Sequence, residues 1–248
     1  MVLLVGLAAC TEEDYKVYDT TQKDAVFFEF KDSKDQLSDN LTYEFQFDLA
    51  TVHTVEIPVT LMGMPSDRDR IIKLVPVAEE TTMVEGVHYT IEDAVLPANA
   101  TQTMVKVNLL RENDPKLQEE EFTLLLEIAE NDDLRPVGSH TFMITYSDIR
   151  PGRPAWWSTI SSYALPEYSF KAAQYFFDYF YREAPAANLE VYDEMIERYG
   201  DYFVDAVEMQ GPLAMYTNFI KRYVLLPMYN DMQNGVIDEL EWVNIPSF

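Results

Sequence analysis

The chain has 248 residues, of which 43 are acidic and 18 are basic, so its formal net charge is −25. Such an acidic surface repels phosphate backbones, which argues against nucleic acid as a partner. Hydrophobic residues make up 48% of the chain and aromatic residues 13%, and this composition excludes a disordered chain. The length suits one or two domains, and the longest apolar run, residues 1–10, is about half of what a membrane-spanning helix needs.

The first nine residues form an apolar run that ends in small side chains, which is typical of a secretory signal peptide and its cleavage site. Leu7, Ala8, Ala9 and Cys10 resemble a bacterial lipobox, in which cleavage precedes the cysteine and the thiol is acylated. We therefore expect Cys10, the only cysteine, to carry a lipid anchor. The alternative is a buried strand with an incidental thiol. No Lys or Arg precedes the run, and a start site placed too late would explain this.

Residues 10–23 are polar and are predicted to form a flexible acidic tether. Its beginning, Thr11, Glu12, Glu13 and Asp14, resembles the surface-export signal of Bacteroidota lipoproteins, although a solvated tether would have the same composition. Two or more acyl chains give stable anchoring. We therefore expect a protein that is lipid-anchored in the outer membrane and faces the cell exterior.

Residues 24–148 alternate between apolar and polar side chains with a period of two, which is typical of strands with one face in a core. Several such strands with turns between them predict an antiparallel sandwich. Pro58 predicts an edge strand or a bulge, because proline has no N–H for the ladder. The clearest alternating positions are Leu41, Tyr43, Phe45 and Phe47; Val55, Ile57, Val59 and Leu61; and Phe122, Leu124, Leu126 and Ile128.

Two motifs in this region carry a family resemblance. Glu85, Gly86, His88 and Tyr89 match an "E-G-x-D-Y" turn, with His88 in place of the aspartate, and residues 119–124 match an "E-x-F-x-L" strand. The region is therefore similar to a Calx-beta-type, immunoglobulin-like sandwich.

Calx-beta domains often bind calcium through acidic loops, so the resemblance implies a calcium site in this chain. The candidate ligands are Glu119, Glu120, Glu121, Asp132 and Asp133. The neutral imidazole of His88 is a poor ligand for a hard cation that prefers oxygen. The alternative is that these carboxylates are only solvated charges and that the protein has no cofactor.

After Asp148 the period changes to 3.6, which predicts a helical domain over residues 149–248. Residues 150–154, with two prolines and a glycine, mark the junction. The predicted fold class is α+β multidomain, with an N-terminal Ig-like antiparallel β-sandwich followed by a small aromatic-rich α-helical domain.

Cap residues delimit the predicted helices. Ser169 and Asn188 are predicted N-caps, and Gly200 follows the second helix as its C-cap. Pro212 suits a first helical position, and Pro227 should kink or end the helix that follows.

The predicted helical domain holds 21 of the 33 aromatic residues, including all three tryptophans. One interpretation is a set of aromatic platforms for sugar rings or peptide side chains. The other is that the aromatic residues fill the core of a helical bundle. One ring of the Trp156–Trp157 pair is expected to pack between the domains and the other to be exposed. The candidate ligand-binding residues are Trp156, Trp157, Tyr163, Tyr168 and Trp242.

The order of motifs in the second half carries a second resemblance. Residues 153–157 match a "P-x-W-W" motif, and residues 165–169 match "L-G-x-Y-S" with Pro166 in place of glycine. Residues 242–246 form the last motif of the series. With the lipobox, this order resembles a family of uncharacterised Bacteroidota surface lipoproteins. The resemblance implies an accessory component of a starch-utilisation-type uptake system. Its partners would be a transporter barrel, the lid lipoprotein of that barrel, and an oligosaccharide or oligopeptide.

Residues that would support catalysis are few. The three histidines, His53, His88 and His140, lie in or beside predicted strands, and no metalloprotease, nucleophile-elbow or P-loop motif occurs. We therefore expect a protein that is not an enzyme, although a pair of carboxylates would suffice for a glycosidase. The alternatives to nutrient capture are a purely structural subunit and a calcium-stabilised adhesion module.

Overall fold

The computed structural model describes residues 23–157, 165–206 and 213–246. In these ranges the strands precede the long helices, which confirms the predicted α+β architecture. The strands are β1 (Asp24–Phe28), β2 (Asn40–Glu44), β3 (Val52–Met62), β4 (Arg70–Ile71), β5 (Lys73–Pro76), β6 (Tyr89–Ile91), β7 (Val95–Leu96), β8 (Gln102–Leu110), β9 (Phe122–Ala129), β10 (Leu134–Pro136) and β11 (Thr141–Ser147).

Two sheets form a sandwich. One has five strands in the order β10-β1-β3-β8-β6, and the other has four in the order β2-β11-β9-β5. β4 and β7 form a separate pair. Most neighbouring strands are antiparallel, while β10 pairs with β1 and β2 pairs with β11 in parallel. Each sheet thus has one parallel pair at its edge, in which a strand from the beginning of the sandwich sequence pairs with a strand from its end.

The alternating apolar residues fill the space between the two sheets. Ile57 and Val59 of β3 share one buried cluster with Leu124, Leu126 and Ile128 of β9. Each such side chain contributes about 1.5–3 kcal/mol by leaving water. The period-two pattern therefore identified the core of the sandwich correctly.

Pro58 lies in the middle of a sheet, so the prediction that it marks an edge or a bulge is wrong. β3 runs between β1 and β8, and its register with β8 continues through the pair of Pro58 and Met104. The carbonyl oxygen of Pro58 accepts a hydrogen bond from the N–H of Glu29 at 2.9 Å. The N–H and C=O groups of one strand residue point to the same side, so the nitrogen of Pro58 faces β1. Because β1 ends at Phe28, the hydrogen bond that proline cannot donate falls at the end of this strand pair.

The alternation predicted that Phe47 continues the buried face of its strand, and this prediction is wrong. β2 ends at Glu44, and Gln46 has a φ of +41°, which turns the chain out of the sheet. Phe47 then packs against Phe170 and Phe177, with ring centroids 5.7 and 5.0 Å away. This ring therefore belongs to the core of the helical region.

The helical region consists of α1 (Phe170–Ala187), α2 (Leu189–Tyr199), α3 (Leu213–Ile220) and α4 (Leu226–Gln233). A π-helical turn (Lys221–Leu225) joins α3 to α4, and a short 3-10 turn (Asp201–Phe203) follows α2. Their apolar faces meet in one cluster that contains most of the aromatic side chains. The described helices include none that is long and apolar enough to cross a membrane.

The predicted helix caps are confirmed. The Ser169 hydroxyl accepts a hydrogen bond from Ala172 N–H at 3.0 Å, and Asn188 Oδ1 accepts one from Val191 N–H at 3.2 Å. Gly200 ends α2 with a φ of +72°. Pro227 lies in the first turn of α4, two residues after the π-helical turn ends, so the helix is distorted next to this proline, as predicted. Pro212 lies outside the described residues.

A buried ion pair lies at the end of the sandwich from which the chain enters the helical region. The Arg111 guanidinium lies 2.6 Å from Asp148 Oδ1 and also donates to the carbonyl oxygens of Gln46, Asp48 and Ala50. All of these acceptors lie near the point where the chain leaves the sandwich. Arg111 lines a cleft of about 530 Å³, but its donors are already occupied, which indicates a structural role.

Candidate functional site

Both tryptophans of the adjacent pair are buried, so the prediction that one of them is exposed is wrong. Trp156 is 1% exposed and Trp157 is 0% exposed. Trp156 packs on Phe203 and Phe176, while Trp157 Nε1 donates to the carbonyl oxygen of Pro166 at 3.1 Å. Their rings thus contribute to the core of the helical region, which is the second of the two interpretations of the aromatic residues.

Three of the predicted aromatic ligand-binding residues come together at one corner of the helical region. Pro166 forms a β-bridge with Trp242, and Glu167 N–H donates to the Glu241 carbonyl oxygen at 2.7 Å. This bridge brings the end of the described chain beside Trp157. Tyr163 lies outside the described residues.

A cleft of about 270 Å³ opens at this bridge, and we call it the aromatic corner. Its lining residues combine an apolar floor with polar groups at the mouth. They are Arg153, Trp157, Leu165, Pro166, Glu167, Tyr168, Val243 and Asn244.

Tyr168 forms one wall of the aromatic corner. Its ring meets Trp157 edge-on at 5.3 Å and 80°, and its hydroxyl donates to the Pro151 carbonyl oxygen at 3.2 Å. Burial raises the pKa of Tyr168, and the nearby Arg153 guanidinium opposes that rise. The phenol therefore stays neutral at physiological pH, and its ring is held in one orientation by both contacts.

Three exposed side chains supply the polar groups of the corner: Arg153, Glu167 and Asn244. They offer a cation, an anion and an amide next to aromatic carbon. Sequence patterns did not single them out as ligand-binding residues, because loop residues of common types carry no periodic signal. Trp242, which was singled out, is half-buried and packs edge-on against Tyr229 at 5.3 Å.

The candidate calcium ligands fall into two separate groups. Glu119 and Glu121 precede β9, whereas Asp132 and Asp133 follow it. Eight residues of extended strand span about 27 Å, so the two groups do not form one site. The Arg68 guanidinium donates to both oxygens of Asp133 and lowers the pKa of that carboxyl. Across the described ranges, no three His, Cys, Asp or Glu residues are grouped so as to hold a metal ion.

His88, which replaces the aspartate of the Calx-beta turn, is buried and has two partners. Its Nδ1 accepts a hydrogen bond from Val84 N–H at 2.8 Å, and its Nε2 lies 3.1 Å from Asp114 Oδ2. Since Nδ1 is an acceptor, Nε2 carries the proton and donates to Asp114. The histidine side chain therefore links the turn to the loop before β9.

The predicted lipid anchor lies outside the part of the chain that the structure describes. Cys10, the signal peptide over residues 1–9 and all but the last residue of the predicted tether belong to residues 1–22. These interpretations remain predictions from the sequence.

One family model matches the chain: that of the family described as "Domain of unknown function (DUF4843)", over residues 18–180. The match covers the whole sandwich and most of α1. No curated protein matches the chain.

Solved structures resemble about half of the chain. A two-domain protein of unknown function from Bacteroides fragilis is 14% identical over 52% of this chain and 46% of its own, with a TM-score of 0.39. A "putative carbohydrate binding protein" from Bacteroides ovatus is 12% identical over 50% and 36%, with a TM-score of 0.36. The CBD12 fragment of CALX1.2 is 10% identical over 50% and 45%, with a TM-score of 0.34. This chain thus spans less than half the length of these proteins, and likenesses at such TM-scores say nothing of function.

Proposed function

The chain belongs to the family described as "Domain of unknown function (DUF4843)", and we propose that this member is a non-catalytic binding lipoprotein at the outer surface of a bacterium. It serves there as an accessory component of a transporter that takes up oligosaccharides or oligopeptides. The anchor at Cys10 is supported by the lipobox resemblance, and the exposed location is supported by the acidic run that follows. The transporter role is supported by the order of motifs in the second half of the chain.

The observation that carries the binding role is the aromatic corner. Ligand sites combine apolar surface with a few fixed polar groups. Here the half-buried ring of Tyr168 supplies the accessible apolar surface, and its hydroxyl hydrogen bond and the edge-on contact with the fully buried Trp157 hold it in place. The exposed side chains of Arg153, Glu167 and Asn244 lie beside it. Short oligosaccharides and oligopeptides both present hydrogen-bonding groups beside apolar faces, so either class suits this lining.

The lining of the corner also favours binding over hydrolysis. Hydrolysis of a glycosidic bond by the usual route needs two carboxyl groups about 5–10 Å apart. Glu167 is the one carboxyl group among the described residues that line the corner, and no histidine, cysteine or serine is among them. A ligand held there therefore meets no pair of groups suited to acid–base catalysis.

Calorimetry tests the binding role. The full chain with Cys10→Ser is titrated with a panel of neutral oligosaccharides and short oligopeptides, and we expect heat from at least one class. A purely structural subunit would give no heat with any member of the panel, and that result would overturn the proposal.

Two further experiments test the anchor and the partners. In the native host, the chain should enter the detergent phase after Triton X-114 partitioning, and the Cys10→Ser variant should stay in the aqueous phase. Affinity isolation from solubilised outer membrane should recover a transporter barrel and a lid lipoprotein. An unmodified thiol on the native chain, or its isolation without any membrane partner, would contradict these parts of the proposal.

A further inference from the structure

A second cleft lies where the sandwich meets the helical region, on the other side of the tryptophan pair. It is bounded by residues 44–47 at the end of β2, by residues 149–156 between the two regions and by residues 202–206 after α2. Its volume is about 510 Å³. We call it the junction groove.

The backbone around the junction groove is unusual. Among the described residues, five that are not glycine have a positive φ, and three of these line the groove: Gln46 (+41°), Tyr202 (+52°) and Phe203 (+55°). Such conformations are disfavoured for residues with a Cβ atom and persist only where surrounding contacts impose them, often at functional sites. One of those contacts is the hydrogen bond from Tyr202 N–H to the Tyr181 hydroxyl oxygen at 2.7 Å.

Two polar atoms of the groove residues have no hydrogen-bond partner among the residues that the structure describes. They are Trp156 Nε1, which is a donor, and Gln46 Oε1, which is an acceptor, and both are buried. Buried polar groups in native proteins almost always have a partner, so each exception requires an explanation. Both atoms belong to residues that line the groove.

The most exposed apolar side chains of the groove are aliphatic. Val204 is 68% exposed and Ile149 is 46% exposed. The rings of Phe47, Trp156 and Phe203 are nearly fully buried and therefore present no flat face on which a sugar could stack.

Among the described residues that line the groove, Glu44 is the one that carries a charge. The exposed Glu44 carboxylate lies at one end, where Gln46 Nε2 donates to it at 2.8 Å. The chain as a whole carries a net charge of −25. A cationic ligand is therefore attracted to this face and an anionic one is repelled.

We propose that the junction groove is a second binding site, distinct from the aromatic corner, and that it takes a free, extended, basic oligopeptide with branched aliphatic side chains. An aliphatic side chain of the peptide covers Val204 and Ile149, and a basic side chain lies by Glu44. The inference does not depend on the lipid anchor or on the corner.

Nuclear magnetic resonance of the full chain with Cys10→Ser tests this site. Each of the three tryptophans gives one indole N–H signal, and Trp156 and Trp157 belong to different clefts. The probe is an acetylated, amidated heptapeptide of alternating lysine and valine. We expect it to shift the indole signal of Trp156 more than that of Trp157, with saturation at millimolar concentration or below.

Two exposed valines provide a matched pair of variants. Val204 and Val236 are each 68% exposed, but only Val204 lines the groove. We expect Val204→Glu to weaken binding of the heptapeptide by at least tenfold and Val236→Glu to change it by less than twofold. Replacing valine by serine in the peptide should also weaken binding by at least tenfold.

Three results would overturn the proposal. The first is that the peptide leaves the Trp156 signal unmoved, and the second is that Val204→Glu and Val236→Glu have equal effects. The third is that a neutral oligosaccharide, rather than the peptide, shifts Trp156. A ligand that shifts only the indole signal of Trp157 would support binding at the aromatic corner and refute binding at the junction groove. The two proposals can therefore fail separately.

Discussion

Trp156 and Trp157 are adjacent in the chain, and their ring centroids lie 5.5 Å apart at an angle of 45°, yet they line different clefts. Trp156 borders the junction groove, and Trp157 borders the aromatic corner. The "P-x-W-W" segment is therefore the wall between the two clefts. Because both rings are also part of one packed core, substitutions in this segment affect stability and binding together, and the two effects must be measured separately.

Truncation of Trp157 should strongly destabilise the chain. The ring is completely buried, so Trp157→Ala should lower the free energy of unfolding by about 3–5 kcal/mol. Trp157→Phe keeps an aromatic ring but loses the hydrogen bond to Pro166, so its loss should be smaller. Urea unfolding followed by circular dichroism measures both. An alanine variant within 1 kcal/mol of the parent would show that the ring is not part of the core.

The ion pair of Arg111 and Asp148 should be far more important for stability than an exposed pair. Asp148→Ala leaves the buried guanidinium without its counter-charge and should cost about 3–5 kcal/mol. Asp178→Ala removes an exposed pair with Arg182 on α1 and should cost less than about 1 kcal/mol. Denaturant unfolding of the two variants tests this contrast, and equal losses would contradict the structural role of Arg111.

Stability should fall at high pH because of Tyr202, a half-buried tyrosine near the junction. Burial, together with the negative charges of Asp48 and Asp201, raises the pKa of Tyr202 from 10 to about 12. The unfolded chain ionises this phenol near pH 10 while the folded chain keeps it neutral. The stability that this phenol contributes is therefore fully present below pH 10 and is lost as the pH rises to about 12.

Absorbance at 295 nm during an alkaline titration measures this step. One phase of tyrosine ionisation in the folded chain should be delayed to about pH 12, and Tyr202→Phe should reduce the amplitude of that phase. Ionisation of every tyrosine near pH 10 without unfolding would show that Tyr202 is more accessible than the structure indicates.

Removal of the polar groups of the aromatic corner should weaken the ligand found by calorimetry. Arg153→Ala and Asn244→Ala each remove one exposed group from the lining, so we expect about a tenfold weaker affinity with unchanged unfolding. Lys34→Ala, which removes a positive charge from an exposed loop of the sandwich, serves as the control. If all three variants bind equally well, the ligand lies elsewhere.

Much of the local structure was predictable from the sequence. The alternation at Val55, Ile57 and Val59 identified a strand, because a pleated backbone places every second side chain on one face. Ser169 and Asn188 identified helix starts, because their side chains bond the first free N–H groups of the same segment. Each of these features depends on residues within a few positions of one another.

The predictions that were wrong all depend on distant parts of the chain. Whether Pro58 lies at an edge depends on which strands flank β3, and β8 begins 40 residues after that strand ends. Phe47 continued the alternation of its segment perfectly, but it packs against α1, more than 120 residues later. Periodicity reports which side chains are buried and not which core receives them.

The sequence by itself determined a β-sandwich followed by aromatic helices, because hydrogen bonding within strands and helices imposes periods that a short segment already shows. Only the tertiary structure decided that Trp156 and Trp157 are both buried, that the candidate calcium ligands lie at opposite ends of β9, and that two clefts flank the tryptophan pair. A cleft is formed by side chains from segments that meet only on folding. Its position is therefore set by packing between distant residues, which no local pattern records.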